Sequence, residues 1–498
     1  MNPQFELILW VFLATLLAAL MIYKKLNHRD MNSGLVLLLL ANIYLIHYSG
    51  AFVHTFPWYV EGNVDLTLKG FRLTVIGLLS FVFACLIVSP HVIRLLPLHK
   101  LKGYGTEPNI DIKKLTDVGL MYFAIGIGCT LIVISRLVLI PTIGGFFNTG
   151  IFLAVIGACF MCLRSIIKKN IYELLFWIGI AMTFPLVTIV FSGHIGFGLI
   201  WLLIVVFFVI KYINPKRKLV FFGIIIAYLG LSLFQTYMRD RGELRELIKS
   251  GSETSRVVEH VQQSFIDPEL FNPFDSKHLD IIAIRLNQNT LVGEGVDYMS
   301  FRNNFVMGKT LMDSFLALVP RIVWPEKTIN AGNDDYVFEF TGTFIPDDTV
   351  VGLGYVLELY GNFATWGVIV GFFILGLFLS IVDFISAYHL RMGNWREFVI
   401  WFLPATAFTN PEIVIATIVS ASMMLLILTY AVSKIPTTLF RPVLFLVAIA
   451  AIFGAYVFVF MPLISPIQIY FQLLLVLVVS YFGLKYYLKH YRKRSTSK

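Results

Sequence analysis

The chain has 498 residues, 58% of them hydrophobic and only 14% charged, with a formal net charge of +9 and a mean hydropathy of +0.80. That balance excludes a soluble globular domain. The basic excess is no nucleic-acid signature either, because Lys and Arg fall mostly in short runs between apolar stretches and at the C-terminus, as the positive-inside rule describes.

The first apolar stretch, about Glu6 to Tyr23, lacks a basic leader and is followed by Lys24, Lys25 and Arg29. It reads as an uncleaved span with its N-terminus outside. Further spans over about 34–50, 72–93, 117–137, 148–166, 171–191, 196–213 and 218–237 complete an N-terminal bundle of eight across residues 1–238, each near the length a bilayer requires. The loops after the odd spans carry Lys24, Lys25 and Arg29; Arg94, Lys100, Lys102, Lys113 and Lys114; Arg164, Lys168 and Lys169; and Lys211, Lys216, Arg217 and Lys218. Those are the expected cytoplasmic faces. The loops after the even spans, Tyr59–Val64, Pro141–Asn148 and Ser192–His194, hold few basic residues and are expected outside. Cys85, Cys129, Cys159 and Cys162 all lie within apolar stretches and read as packed, reduced thiols. Cys159-x-x-Cys162 sits on one apolar helix without the second pair that a structural metal site needs.

The eighth span delivers residues 239–350 to the outer face, an excursion of about 110 residues with interfacial helices expected in it. A connection so long is functional when it is not disordered, and its aromatic content argues against disorder. Beyond it come a span at about 365–387, a short one at 397–410 ended by Thr409-Asn410-Pro411, and spans at about 442–461 and 467–485. Counting the short segment as a crossing puts Lys434, Arg441 and the basic tail 486–498 inside. Twelve spans are located above and the charge rule selects about thirteen, so the expected fold is an all-α polytopic membrane protein of about thirteen spans, with a C-terminal bundle over 351–485. No internal repeat supports an inverted-repeat transporter.

The excursion opens with Arg239-Asp-Arg241-Gly-Glu-Leu-Arg245. If the helix continues, Arg241 and Arg245 share a face at i, i+4. Clustered guanidinium groups at an interface suit a phosphate through bidentate bonds; a salt-bridged helix end with Glu243, Glu246 and Lys249 is the alternative. In residues 251–300, Pro268 and Pro273 among Asp267, Glu269 and Asp275 point to irregular chain. An amphipathic turn around Ile281–Leu286 carries Arg285, while His260 and His278 read as surface histidines. The last section holds Gly308-Lys309-Thr310, an apolar run Leu311–Val319, and Pro320-Arg321-Ile-Val-Trp324-Pro325-Glu326-Lys327. It lacks the Gly-rich lead of a nucleotide-binding loop. The apolar run reads as an element lying in the interface, with the prolines holding Arg321 and Trp324 in extended backbone. After Asp334, Asp335, Glu339, Asp347 and Asp348 comes Tyr355-Val-Leu-Glu358-Leu-Tyr360-Gly361-Asn362-Phe363. Glu358 stands at the mouth of the ninth span, where a carboxylate is costly unless paired, so a basic partner is expected.

With its many spans, one large late outer loop, Gly308-Lys309-Thr310, Pro320-Arg321-x-x-Trp324-Pro325-x-Lys327 and Glu358-x-Tyr360-x-Asn362-Phe363, the sequence resembles the Wzy-type polymerases. That family joins oligosaccharide repeat units of bacterial O-antigens, capsules and exopolysaccharides. The motifs cover about 60 residues, and Leu357 and Ala364 stand where the family tends to have Gly.

The resemblance implies a fold like the GT-C glycosyltransferases, a donor built on undecaprenyl pyrophosphate, and transfer on the outer face of the bacterial plasma membrane without metal or other cofactor. It implies partners beyond the lipid bilayer, among them a chain-length regulator and a flippase, and no nucleic acid. Under it, Arg321 and Lys309 bind the pyrophosphate with Arg239, Arg241, Arg245, Arg285 and Arg302 as helpers. Arg321 and Glu358 act in catalysis, Glu358 as general base, while Trp324, Asp334, Asp335 and Tyr360 meet the glycan. An O-antigen ligase-like transferase shares these parts. A lipid-linked oligosaccharide flippase or transporter would instead place charges within spans.

Overall fold

The computed structural model describes residues 2–26, 31–97, 110–134, 141–192, 194–212, 217–250, 254–303, 305–319, 324, 333–344 and 351–436, and every regular element among them is a helix. Nine of these helices are long and apolar enough to cross a membrane, the architecture of a helical membrane protein. The first three are α1 (Pro3–Lys25), α2 (Leu35–Val53) and α3 (Val64–Leu95). They are followed by α4 (Ile112–Ile134), the short α5 (Pro141–Thr149), α6 (Ile151–Ile167), α7 (Ile171–Ser192) and α8 (Ile195–Tyr212). These match the first seven expected spans. The eighth, 218–237, falls inside α9 (Arg217–Lys249), a helix of 33 residues that runs unbroken past Arg239.

The excursion is helical. It contains α10 (Thr254–Ile266), α11 (Ser276–Arg285), α12 (Asn289–Arg302), α13 (Lys309–Ala317) and α14 (Asn333–Thr341). Chain 268–273, between α10 and α11, is irregular as its prolines foretell. The surface position expected for His278 is corrected: it is buried, its Nε2 is 2.8 Å from Glu269 Oε1, and its Nδ1 accepts from the Asn272 amide.

Helix α12, which no apolar pattern announced, is built into the membrane bundle. A Cβ on Gly293 would stand 2.2 Å from the Leu66 carbonyl, and one on Gly70 2.1 Å from that of Asn289, so α12 and α3 cross backbone to backbone. Asn289, which this brings inside, is paired: its Oδ1 lies 2.8 Å from His47 Nδ1, and its Nδ2 donates to the His47 carbonyl at 2.7 Å. A π-type turn at Tyr44–Tyr48 interrupts α2 at this point. A buried amide such as Asn289 is tolerated because it finds such partners.

C-terminal to the excursion, α15 (Gly354–Arg391) packs on α3, then α16 (Trp395–Thr406) and α17 (Ile415–Ser433) follow. Helix α16 has 12 residues, about 18 Å of rise, which agrees with the short segment expected there. Asp383 of α15 is buried and accepts from the Ser33 and Leu35 amides at 2.7 and 3.1 Å, capping α2 from another helix. All four cysteines are free and buried. The spans expected at 442–461 and 467–485 and the basic tail lie outside the described residues.

Candidate functional site

Helix α15 is two helices joined at a break. Phe363 (φ −141°) and Ala364 (φ +52°, ψ −148°) leave helical geometry, so Gly354–Asn362 forms a separate short rod at the mouth of the span. Asn362, at the end of that rod, is fully buried. Its Oδ1 accepts the Gly308 amide at 2.9 Å, while its Nδ2 donates to Thr310 Oγ1 and to the Glu358 carbonyl, both at 2.7 Å. The Val306 amide donates to the Gly361 carbonyl at 3.0 Å. The Gly-Lys-Thr turn is thereby clamped onto the Glu-x-Tyr-x-Asn rod. Gly308 adopts φ +90°, which a side chain would strain, and starts α13.

Glu358 lies behind this turn with 0% exposure. One carboxylate oxygen accepts the Ile415 amide at 2.7 Å, at the N-terminus of α17; the other is buried without a hydrogen-bond partner, and the Thr310 hydroxyl lies beside the group. The expected basic partner is replaced. Among the described residues no Lys or Arg pairs with Glu358, and the positive end of α17 takes that place. Tyr360 is 6% exposed, its hydroxyl 3.0 Å from Ser300 Oγ and its ring against Phe305. That is a packing position.

The arginines divide into groups. Arg239 is committed to acids: it grips Asp240 at 2.8 and 3.0 Å, donates to the Asp267 carbonyl and lies 4.0 Å from Glu269. Arg241 and Arg245, one turn apart on the same face of α9, turn instead toward Arg285 of α11 and His194 of the α7–α8 connection. Arg245 donates to His194 Nδ1 at 3.3 Å, and Arg241 Nε is buried without a hydrogen-bond partner. Burial pushes the Arg285 guanidinium below its ordinary range and Arg241 and Arg245 add to the effect; burial first, then Arg245 and Arg241, likewise lowers His194. Among the described residues no carboxylate pairs with Arg241, Arg245 or Arg285. Three guanidinium groups near enough to act on one another's charge, with no carboxylate partner among the described residues, can together hold a multivalent anion. Glu243 and Glu246 of α9 line a cleft with Ser250 and with His260 of α10, and neither pairs with the three guanidinium groups among the described residues.

Lys309 projects from the clamped turn and pairs with Glu339 of α14 at 3.0 and 3.1 Å. Arg302, the last residue of α12, lies over the Tyr298 ring at 4.5 Å. Helix α12 has 14 residues, or about 21 Å, and Arg285 and Arg302 flank it at opposite ends. Trp324 is 41% exposed. Arg321 lies outside the described residues, as do the side chains of Asp334 and Asp335 in the first turn of α14. Among the described residues no group of three His, Cys, Asp or Glu side chains is placed to hold a metal ion.

Sequence reading had given no role to Asn362, Thr310 or His194. The first two stand inside the motifs quoted above, and a carboxamide and a hydroxyl, each able to donate and accept, are their only signal. No curated protein and no solved structure matches the chain. It belongs to the family described as a domain of unknown function (DUF8712), whose matched stretch, residues 98–389, takes in both the clamped turn and the uncompensated arginines.

Proposed function

We propose that the chain is a GT-C-like membrane glycosyltransferase that joins undecaprenyl-pyrophosphate-linked oligosaccharide repeat units at the outer face of the bacterial plasma membrane. The observation that carries this reading is the convergence of Arg241, Arg245 and Arg285, which have no carboxylate partner among the described residues, at the end of a long helix beside the membrane bundle. In the reaction an acceptor hydroxyl attacks the anomeric carbon of the donor glycan, the bond from that carbon to the pyrophosphate oxygen breaks, and lipid pyrophosphate departs with the bonding electrons, its oxygens taking up the proton that the hydroxyl loses. Fixed guanidinium groups in a partly dry site stabilise the charge that grows on the departing oxygens.

The sidedness rests on the basic residues between spans, which put the excursion outside and count about thirteen crossings. Helix α13 supports an interfacial placement of the clamped turn: Met312, Phe315 and Leu316 are exposed on it while Thr310 and Ser314 face inward. Glu358 acts from behind the turn as a positioning residue, holding α17 and lying against Thr310.

Incubating the purified chain with one defined undecaprenyl-pyrophosphate repeat unit, without nucleotide, tests the reading. A ladder of products spaced by one repeat is the expected result. Intact substrate after prolonged incubation, with folded protein, would sink it, and a single transfer to a different acceptor would mark a ligase.

A further inference from the structure

At the far end of α12 from Arg285, a cleft of about 240 Å³ opens between Tyr298, Met299 and Arg302 of α12 and Phe338 and Glu339 of α14. It is smaller than the roughly 300–1,000 Å³ of sites that enclose a drug-sized ligand, so it suits a single ring. Its chemistry is mixed. Phe338 is 53% exposed on the lining, an apolar face in open water, and Arg302 lies over the Tyr298 ring with its donors turned to no carboxylate among the described residues.

Among the described residues the acids of α12 and Glu339 of α14 have hydrogen-bond partners, while one cation has no counter-ion. Glu339 is held by Lys309, Asp297 by Lys69 at 2.7 Å, and Glu294 accepts from Thr343. Arg302 has no carboxylate partner among the described residues and stands beside an exposed aromatic face. A guanidinium fork matches a carboxylate in two parallel bonds, and an aromatic face accepts the C–H side of a pyranose ring by the same contact that buries apolar surface.

We propose that this cleft is a subsite for an acidic sugar of the repeat unit, its uronate carboxylate on Arg302 and its ring against Phe338. The inference rests on the glycan-transfer reading above for the source of the sugar, but the binding it describes does not require turnover. It places the glycan on the order of 20 Å along α12 from the cation group, with the clamped turn and Lys309 on its edge.

The test is saturation-transfer NMR on the full chain in detergent, with the methyl glycosides of glucuronate, galacturonate and N-acetylmannosaminuronate, each beside its neutral parent. Transfer from at least one uronate, and at least about tenfold weaker binding of the neutral parent, is expected, since a charge-assisted bidentate contact separates the two. Arg302→Gln should bring the uronate down to the level of its parent, and Phe338→Ala should weaken both. Both side chains are exposed, so neither change strains the fold. No transfer from any uronate, equal transfer from the neutral sugars, or an unchanged uronate signal in Arg302→Gln overturns the subsite. Ladder formation in the same preparation separates the two readings. Ladders without uronate binding remove the subsite alone, and uronate binding without ladders upholds the subsite and removes the polymerase.

Discussion

Asn362 and Thr310 are joined by a 2.7 Å hydrogen bond although 52 residues separate them. The same carboxamide holds the Gly308 amide, so one side chain fixes both ends of the Gly-Lys-Thr turn and sets the direction in which Lys309 leaves it. Asn362→Ala should therefore strip a partner from three groups, the Gly308 amide, the Thr310 hydroxyl and the Glu358 carbonyl, a buried one costing about 1–3 kcal/mol when left unsatisfied. Asn362→Asp keeps the acceptor for Gly308 and loses the donor to Thr310. The expected order of thermal midpoints in detergent is wild type, then Asp, then Ala. An alanine variant as stable as wild type would show that the clamp does not hold the turn.

Ala364 is the residue on which the broken helix turns. At φ +52° and ψ −148° it occupies backbone space natural to glycine, at a cost of order 1–3 kcal/mol. Ala364→Gly should relieve that strain and lose part of the gain to unfolded-chain entropy, for a net stabilisation of about 1 kcal/mol. Differential scanning of the two proteins decides it. A lower midpoint for the glycine variant would mean that the alanine methyl contributes packing that outweighs the strain.

The two departures from the resembling motifs have different physical readings. Ala364 carries the strain just described. Leu357 is accommodated instead, since it is fully buried and its Cδ1 fills the space where a Cβ on Gly295 of α12 would stand, 2.3 Å away. The membrane spans were legible because an apolar run of bilayer length has few other uses. Helix α12 was not, because Asn289, Gly293 and Gly295, residues that read as loop until His47 and Leu66 are seen opposite them, stand beside Val292 and Met299 on its buried face. Similarly, i, i+4 spacing put Arg241 and Arg245 on one face, yet nothing linear linked them to Arg285 or told them apart from Arg239 with its acids.

The cation group should trade stability for anion binding. Removing one of three guanidinium groups that repel each other relieves the free protein, so Arg241→Gln or Arg285→Gln is expected to leave the thermal midpoint unchanged or raise it. Inorganic pyrophosphate should raise the wild-type midpoint and raise those of the variants less, because a ligand stabilises in proportion to its affinity for the folded state. Ladder formation should fall at least about tenfold in each, the scale of one lost charge-assisted contact in a low-dielectric site. Arg239→Gln, which removes a residue already paired with Asp240, is expected to retain most of the pyrophosphate shift. Equal responses from Arg239 and Arg241 variants would dissolve the distinction between them.

Glu358 separates a positioning role from proton transfer. Glutamine keeps an oxygen for the Ile415 amide but cannot take up a proton, whereas alanine loses both. If Glu358 positions the turn, Glu358→Gln keeps a substantial share of the ladder rate and Glu358→Ala does not. Identical loss in the two, with Glu358→Gln folded and binding pyrophosphate normally, would return the residue to the role of general base.

His194 makes the cation group sensitive to pH. Burial, with Arg245 and Arg241 adding their charge, holds its imidazole below the ordinary 6.5, and Arg245 donates to its Nδ1, which requires that nitrogen to be unprotonated. Between the lowered value and 6.5 the unfolded chain binds the proton and the folded chain does not. The associated stability is thus fully present above pH 6.5 and is lost as pH falls below it. His194→Gln keeps an acceptor for Arg245 and cannot titrate. The stability difference between wild type and His194→Gln should be flat from pH 8 to about 6.5 and then move against wild type. A bound anion offsets the arginines and lets His194 take up its proton, so pyrophosphate should bind wild type increasingly better than His194→Gln as pH drops through the same window. Comparing the two proteins at each pH cancels the titration of pyrophosphate itself. A difference in affinity that stays constant from pH 8 to 5.5 would place His194 outside the anion's reach.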